Sequence, residues 1–260
     1  MGTTRFEEEP ILTDDPIARP RSVAPLKNVS ALMALIETLK DRPPGLPGLG
    51  VGSGHSGYGK TVAAQYCQNS YGATYIEMRH HWTAKGFCEA LLIELGVARP
   101  KGTISRMMTE ICNRIGDDPD RPLIIDEADK LVDRHSIELV RDIYETTQAP
   151  VVLIGEELLP SKLEEYERVH NRVLDWVLFQ PCDAEDTRAL ADLLCPKLYI
   201  GPPLLERIRT QTQGRARRIA TTLHEVAQFA RLKGVESIDV ETFEGRIFTG
   251  DAPKRQQRVA

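Results

Sequence analysis

Nowhere in its 260 residues does the chain carry an unbroken apolar run of the roughly 18 residues that a membrane-spanning helix needs, so a membrane span is excluded. Met1 to Pro20 holds Glu7-Glu8-Glu9 and no apolar centre, which rules out a secretory signal. The five cysteines, Cys67, Cys88, Cys112, Cys182 and Cys195, are scattered without a Cys-x-x-Cys spacing. They read as free thiols of a reducing cytoplasm, not as a disulfide frame or a zinc site. His80-His81 is the one histidine pair, and no nearby Cys or carboxylate completes a metal constellation. No internal repeat is present.

The remaining bulk properties are those of a soluble globular chain with room for one large domain, or for a core and a smaller companion. Charged residues make up 27% and apolar residues 41%. A net charge of −5 argues against a generally basic nucleic-acid binder, although binding depends on where charge sits. From Gly201 onward there are 11 Lys and Arg against 7 Asp and Glu, so the C-terminal part is the basic one.

The most informative stretch is Gly54-His55-Ser56-Gly57-Tyr58-Gly59-Lys60-Thr61, which fits G-x-x-x-x-G-K-[ST]. Glycines let the backbone reach positive φ and approach an anion closely. A helix starting near Lys60 directs its N-terminal amides at the same anion. In such a loop Lys60 reaches the β- and γ-phosphates of a nucleotide and the Thr61 hydroxyl ligates Mg²⁺. A glycine-rich turn that binds nothing fits the same eight residues.

Taken in order, residues 1–27 are rich in Pro and Glu and read as a flexible arm. Asn28 or Ser30 is placed to cap a helix through Ala31–Lys40, with Leu32, Leu35, Ile36 and Leu39 on its buried face. The approach to the phosphate loop, Leu46-Pro47-Gly48-Leu49-Gly50-Val51-Gly52-Ser53, is unusually glycine-rich, which predicts a short or ill-formed first strand. Helices are expected after Thr61, over Thr83–Leu95 and over Ile104–Ile115, with a strand at Ala73–Met78. Leu123-Ile124-Ile125-Asp126 and Val151-Val152-Leu153-Ile154-Gly155 are continuous apolar runs, as a parallel sheet covered on both faces requires. Asp175–Phe179 offers a fifth strand. Alternating strands and helices indicate an α/β core, residues 28–182. From Asp183 the pattern reads as helices only: Ala184–Leu194 capped by Asp183, Pro202–Thr212, and Arg215–Lys233 ended by Gly234. Residues 183–250 form this second unit, and 251–260 a basic, disordered tail.

Asp126 and Glu127 end a short apolar strand 66 residues after Lys60. In phosphate-loop NTPases an Asp so placed holds Mg²⁺ directly or through water, and a following Glu polarises the attacking water. Each motif alone is common; together, in this order, they favour nucleotide binding.

On these motifs, with the apolar strand ending at Gly155 and the helical C-terminal segment, residues 28–248 resemble the AAA+ ATPases. The resemblance implies a parallel-sheet P-loop core with a small C-terminal all-helical lid, using ATP and Mg²⁺. It implies a catalytic set of Lys60, Glu127 and a trans-acting arginine, for which Arg168 and Arg172 are the candidates and Arg172 is favoured. It implies nucleotide contact from Arg217 in Gly214-Arg215-Ala216-Arg217, although this arginine cluster equally suits a DNA-facing patch. The family usually places Asn, Ser or Thr after the fourth strand to sense the γ-phosphate. Here the residue is Glu156, and because an anion beside phosphate is unfavourable it is expected to face away.

Within the family, Gly54–Thr61, the segment Tyr75–Phe87 and the short lid are most similar to transposition regulators of the Mu B, TnsC and IstB/TniB type. That likeness implies double-stranded DNA and an integrase-type transposase as partners, and homo-oligomeric assembly as a filament or ring in a bacterial or phage-infected cytoplasm. Arg79, Lys85, Lys101 and Arg106 are the basic candidates for DNA phosphates. Two other readings remain open: a helicase- or clamp-loader type ATPase, and a nucleotide-regulated switch with negligible hydrolysis.

Overall fold

A computed structural model describes Ala24 and residues 26–251; the expected N-terminal arm and C-terminal tail fall almost entirely outside the described residues. Helix α1 (Lys27–Lys40) leads into strand β1 (Leu49–Ser53), helix α2 (Lys60–Tyr71), strand β2 (Thr74–Glu77) and helices α3 (Ala84–Glu94) and α4 (Ile104–Gly116). Strand β3 (Leu123–Asp126), helices α5 (Asp129–Asp133) and α6 (Glu138–Thr147), and strand β4 (Val151–Gly155) follow. After them come helices α7 (Leu159–Glu164) and α8 (Glu167–His170) and strand β5 (Val173–Leu178). The C-terminal region holds α9 (Ala184–Leu194), β6 (Tyr199–Ile200), α10 (Pro202–Gln211), α11 (Ala216–Lys233) and β7 (Ser237–Ile238).

The five main strands form one parallel sheet in the order β2-β3-β4-β1-β5. All of them end on the same edge, so the loops after β1, β3 and β4 meet there. Period-2 alternation sorts the apolar runs between two cores. Ile124, Val152 and Ile154 pack with α1, α2 and the C-terminal helices. Leu123, Ile125, Val151 and Leu153 pack with α3, α4 and α6.

Strand β1 corrects the expectation of an ill-formed first strand: it is a fully buried central strand, paired on both sides. Leu49 and Val51 face one core, while Gly50 and Gly52 face the other at points of close approach. A Cβ on Gly50 would sit 2.9 Å from Leu39 Cδ1, and one on Gly52 would sit 2.7 Å from Phe179 Cε2. The missing side chains are replaced by α1 and Phe179.

Three further differences have local causes. Helix α1 begins at Lys27, one turn earlier than its apolar stripe suggests; its N-cap residue Leu26 offers no side-chain bond, and the first amide, that of Lys27, is accepted instead by Asp186 at 3.0 Å. Neither Asn28 nor Ser30 is the cap. The C-terminal region is not all helix, because β6 and β7 form a small parallel pair. By contrast, Asp183 caps α9 by accepting the Asp186 N–H at 2.9 Å, and Gly234 ends α11 in a left-handed conformation.

Candidate nucleotide-binding site

The phosphate loop leaves the end of β1 and closes onto α2. Gly57 and Gly59 take φ of 89° and 85°, values that side-chain-bearing residues rarely adopt. Thr61 follows in the first turn of α2, whose leading amides open toward the loop. Lys60 is 7% exposed, and its ammonium donates to the carbonyls of Gly54 at 2.5 Å and His55 at 3.1 Å. His55 and Tyr58 meet edge to face at 5.5 Å.

Beside the loop lies a cleft of about 240 Å³. Its polar lining comes from Ser56, Gly57, Gly59, Lys60 and Thr61 with Glu127 and Glu156, and its apolar lining from Leu26, Val62, Leu190, Ala216 and Ala220. The polar lining suits phosphates and the apolar lining a flat ring system, the usual make-up of a small-molecule pocket.

Asp126 ends β3 almost completely buried. Its carboxylate accepts the Tyr75 hydroxyl at 3.2 Å and the Glu127 N–H at 2.8 Å. Burial first, and the Asp126 charge next, push the Tyr75 phenol well above its ordinary pKa, so it stays a donor. Glu127 has φ of 58°, a costly backbone for a non-glycine residue and a common mark of functional sites. Its carboxylate meets Lys130 Nζ at 3.1 Å, while Lys130 also donates to the Met78 carbonyl at 3.1 Å.

Glu156 overturns a second expectation. It lines the cleft, with Oε1 3.8 Å from Lys60 Nζ. Its backbone N–H donates to Asp129 Oδ2 at 2.7 Å, which fixes the turn leaving β4. Lys60 supplies the cation that makes an inward carboxylate tolerable.

The C-terminal region reaches the same loop. Arg217 lines the cleft, and its backbone N–H donates to the Gly57 carbonyl at 3.3 Å. Arg215, which the sequence offers only as a member of an arginine cluster, donates through Nη1 to the Ser56 carbonyl at 2.8 Å. Asn28 is a second unforeseen contributor. Its amide nitrogen donates to the carbonyls of Tyr58 at 2.9 Å and Gln180 at 2.8 Å, and its oxygen accepts the Gln180 N–H at 3.0 Å. It thus ties the phosphate loop to the segment between β5 and α9.

Other candidates lie away from the cleft. Arg172 directly precedes β5, and its carbonyl accepts the Leu49 N–H, so it sits at the opposite edge of the sheet from the phosphate loop. Its guanidinium meets Glu145 Oε1 at 2.8 Å. Arg168 is exposed on α8. Arg79 pairs with Glu77 at 2.9 Å and Lys85 with Glu89 at 3.6 Å, both more than half exposed, while Lys101 and Arg106 are exposed at the approach to α4.

The donor set fits ATP and Mg²⁺. Glycine amides and a lysine suit phosphates, and a hydroxyl with one carboxylate is the kind of partial oxygen shell Mg²⁺ accepts alongside phosphate oxygens. Among the described residues no group of three or more His, Cys, Asp or Glu is arranged to hold a metal ion without such help.

These features define a phosphate-loop α/β fold of the AAA+ type, with a helical C-terminal region. Residues 45–163 match the family model described as an AAA domain. Among solved structures, the fold is similar to the Aeropyrum pernix Orc1 protein in complex with DNA, with a TM-score of 0.62 and 20% identity over 84% of this chain and 63% of that one. It is also similar to Cdc6p from Pyrobaculum aerophilum (TM-score 0.59, 15% identity, 85% of this chain and 66% of that one). The RuvB Holliday junction branch migration motor of Thermotoga maritima gives a TM-score of 0.57 at 16% identity, over 83% of this chain and 66% of that one. The chain thus spans less than two thirds of each of these proteins. No curated protein matches the sequence. No helix among the described residues is long and apolar enough to cross a membrane.

Proposed function

We propose that the chain is an ATP-hydrolysing AAA+ protein that assembles on double-stranded DNA and recruits or activates a transposase. The observation that carries the ATPase part is the convergence of the phosphate loop, Glu127 and Arg217 on one partly apolar cleft, with buried Asp126 adjoining Glu127 at the end of β3. Gly54 to Thr61 would hold the phosphates and Leu26, Val62 and Leu190 would flank the base, with Arg217 approaching from α11. Thr61 and Asp126 would hold Mg²⁺, which when bound neutralises charge on the phosphate oxygens. Glu127 would orient water and accept its proton at the carboxylate. In this reading residues 28–182 are the nucleotide-binding core and 183–250 the lid.

DNA is supported by the likeness to a DNA-bound Orc1 protein. The transposition role rests on the sequence tokens Gly54–Thr61 and Tyr75–Phe87. Arg79, Lys85, Lys101 and Arg106 would meet phosphates, giving salt-dependent and sequence-tolerant binding. Arg172, far from its own cleft, would act on that of a neighbouring subunit.

Two measurements test this. Lys60→Ala should abolish ATP binding, and Glu127→Gln should retain binding while lowering turnover by about 10²-fold or more. Electron microscopy with duplex DNA should show ATP-dependent polymers at low salt. Discrete rings that form only with a protein partner would favour a loader-type ATPase instead. The Lys60–Glu156 contact gives specific support to a second reading, a nucleotide switch with negligible hydrolysis; background turnover in both wild type and Glu127→Gln would select it.

A further inference from the structure

An ammonium has three N–H donors. Two of those on Lys60 are taken by the Gly54 and His55 carbonyls, and the remaining side of the buried cation faces Glu156 Oε1. The separation of 3.8 Å is that of an ion contact, longer than a hydrogen bond. Glu156 therefore places an anion, belonging to the chain itself, beside the group that a phosphate loop offers to the terminal phosphates.

The backbone makes this placement persistent. Gly155 has Asp129 so close that a Cβ would lie 2.1 Å from its Oδ2, and that same oxygen accepts the Glu156 N–H. The turn after β4 is thereby clamped to α5. The next residue reinforces it from the other side, because Glu157 Oε1 lies 3.4 Å from His55 Nδ1 on the phosphate loop. Two consecutive glutamates thus reach from the end of β4 to Lys60 and His55 of one loop.

We propose that Glu156 determines which nucleotide the site prefers, by opposing the terminal phosphate of a nucleoside triphosphate while leaving a diphosphate little affected. This rests on the nucleotide-binding reading of the cleft and deepens it. The physical basis is charge geometry. A triphosphate brings its last, most negative group toward Lys60, where the carboxylate already sits; a diphosphate ends one group short. Partial burial, the strongest influence, holds the Glu156 carboxyl above the ordinary glutamate range, with Lys60 pulling the other way and Glu157 and Glu127 adding to the rise. The side chain is 42% exposed, so solvent screens part of the repulsion.

The test compares ATP and ADP affinities, each with Mg²⁺, for the wild type, Glu156→Gln, Glu157→Gln and Lys60→Ala, by competition against a fluorescent nucleotide. Glu156→Gln keeps the shape of the side chain and the backbone bond to Asp129. It should tighten ATP about tenfold and ADP by less than about twofold. Glu157→Gln removes the same charge one residue further on and should leave the ATP:ADP ratio near that of the wild type. Glu156→Asn, a shorter neutral variant, should reproduce the shift and guards against an accident of one substitution. An unchanged ratio in Glu156→Gln, or equal shifts in Glu156→Gln and Glu157→Gln, overturns the proposal while the site itself stands, provided Lys60→Ala abolishes binding of both nucleotides. If Lys60→Ala binds both as well as the wild type, the nucleotide reading fails and this inference fails with it.

Discussion

Arg215 offers the sharpest perturbation of the contact between the C-terminal helices and the phosphate loop. Its Nη1 donates to the Ser56 carbonyl at 2.8 Å, and its aliphatic stem lies against Gly57, where a Cβ would come within 3.5 Å of Arg215 Cβ. A hydrogen bond from a charged donor is worth about 1.5–3 kcal/mol. Ser56 is exposed, so water can replace the lost donor, and the lower figure applies. Arg215 Nε is buried without a hydrogen-bond partner, a cost that truncation relieves. The lost bond, partly offset by that relief, and the lost packing of the stem against Gly57 together put the net loss for Arg215→Ala at about 1.5 kcal/mol, equivalent to a fall in Tm of about 3–6 °C for a chain of this size. Arg215→Met keeps the stem and removes both the bond and the orphaned Nε, so its Tm should fall by about half as much. Differential scanning fluorimetry measures both variants, and nucleotide competition measures the second consequence. A loosened Ser56–Gly57 segment no longer presents its amides in a fixed cradle, so ATP affinity should drop several-fold in Arg215→Ala. If Arg215→Ala matches the wild type in Tm, or loses Tm while keeping ATP affinity within about twofold, the tether to the loop has no bearing on the site.

Other perturbations separate the remaining claims. Gly52→Ala forces a methyl group against Phe179, so it should cost about 1–3 kcal/mol in urea unfolding, and Phe179→Leu in the same chain should recover part of it. Full stability in the single variant would mean that β1 is not packed against Phe179. Arg172→Ala breaks only an exposed pair with Glu145, so its Tm should stay within a change of about 1 kcal/mol in stability. Its turnover should fall about 10³-fold if the guanidinium serves a neighbour, and mixing it with Lys60→Ala subunits should restore part of the activity. Loss without restoration would exclude a trans role. Burial pushes the thiols of Cys67 and Cys182 up to about 12 and that of Cys88 to about 11, and raises those of Cys195 and Cys112. At pH 8 the thiolate fraction is small throughout, so a thiol titration of the native protein should detect half-buried Cys112 first and the other four only on denaturation. Rapid reaction of all five would contradict the buried packing.

The parts of the fold legible in the sequence are those written in local patterns. Ile124-Ile125 and Val151–Ile154 are apolar without alternation because the sheet is covered on both faces, and the phosphate loop is spelled in eight consecutive residues. What escaped depends on contacts between distant residues. The glycines of β1 look like strand breakers until α1 and Phe179 are seen filling the space beside them. Strands β6 and β7 are two residues each, too short for any periodicity. Helices α5, α7 and α8 span at most six residues and leave the same blank. Asn28 has the composition of a helix cap, yet its partners are at Tyr58 and Gln180, and nothing adjacent to it in sequence announces them. Glu156 taken alone is an anion that should face outward; the cation that turns it inward lies 96 positions earlier in the chain.

Those distant contacts also bear on how the C-terminal helices respond to whatever occupies the cleft. They do not rest on the core as a separate body. Leu190, Ile208, Ile219 and Leu223 belong to the same apolar cluster as Leu32, Leu35, Ala63 and Val152, so one continuous core runs from α1 and α2 into α9–α11. Polar bonds then pin the seam at intervals: Lys27 N–H to Asp186 at 3.0 Å, Lys27 Nζ to Glu185 at 3.1 Å, Asn28 to Gln180, Arg215 to Ser56, and the Arg217 amide to Gly57. A wide swing would expose that shared core to water at about 25 cal/mol per Å² of apolar surface, a cost that a few hydrogen bonds to a ligand do not offset. Small sliding of packed helices costs far less. Occupancy of the cleft is thus expected to reach the outer surface as a short displacement of α11, transmitted through the Gly57–Arg217 and Ser56–Arg215 contacts at its N-terminus.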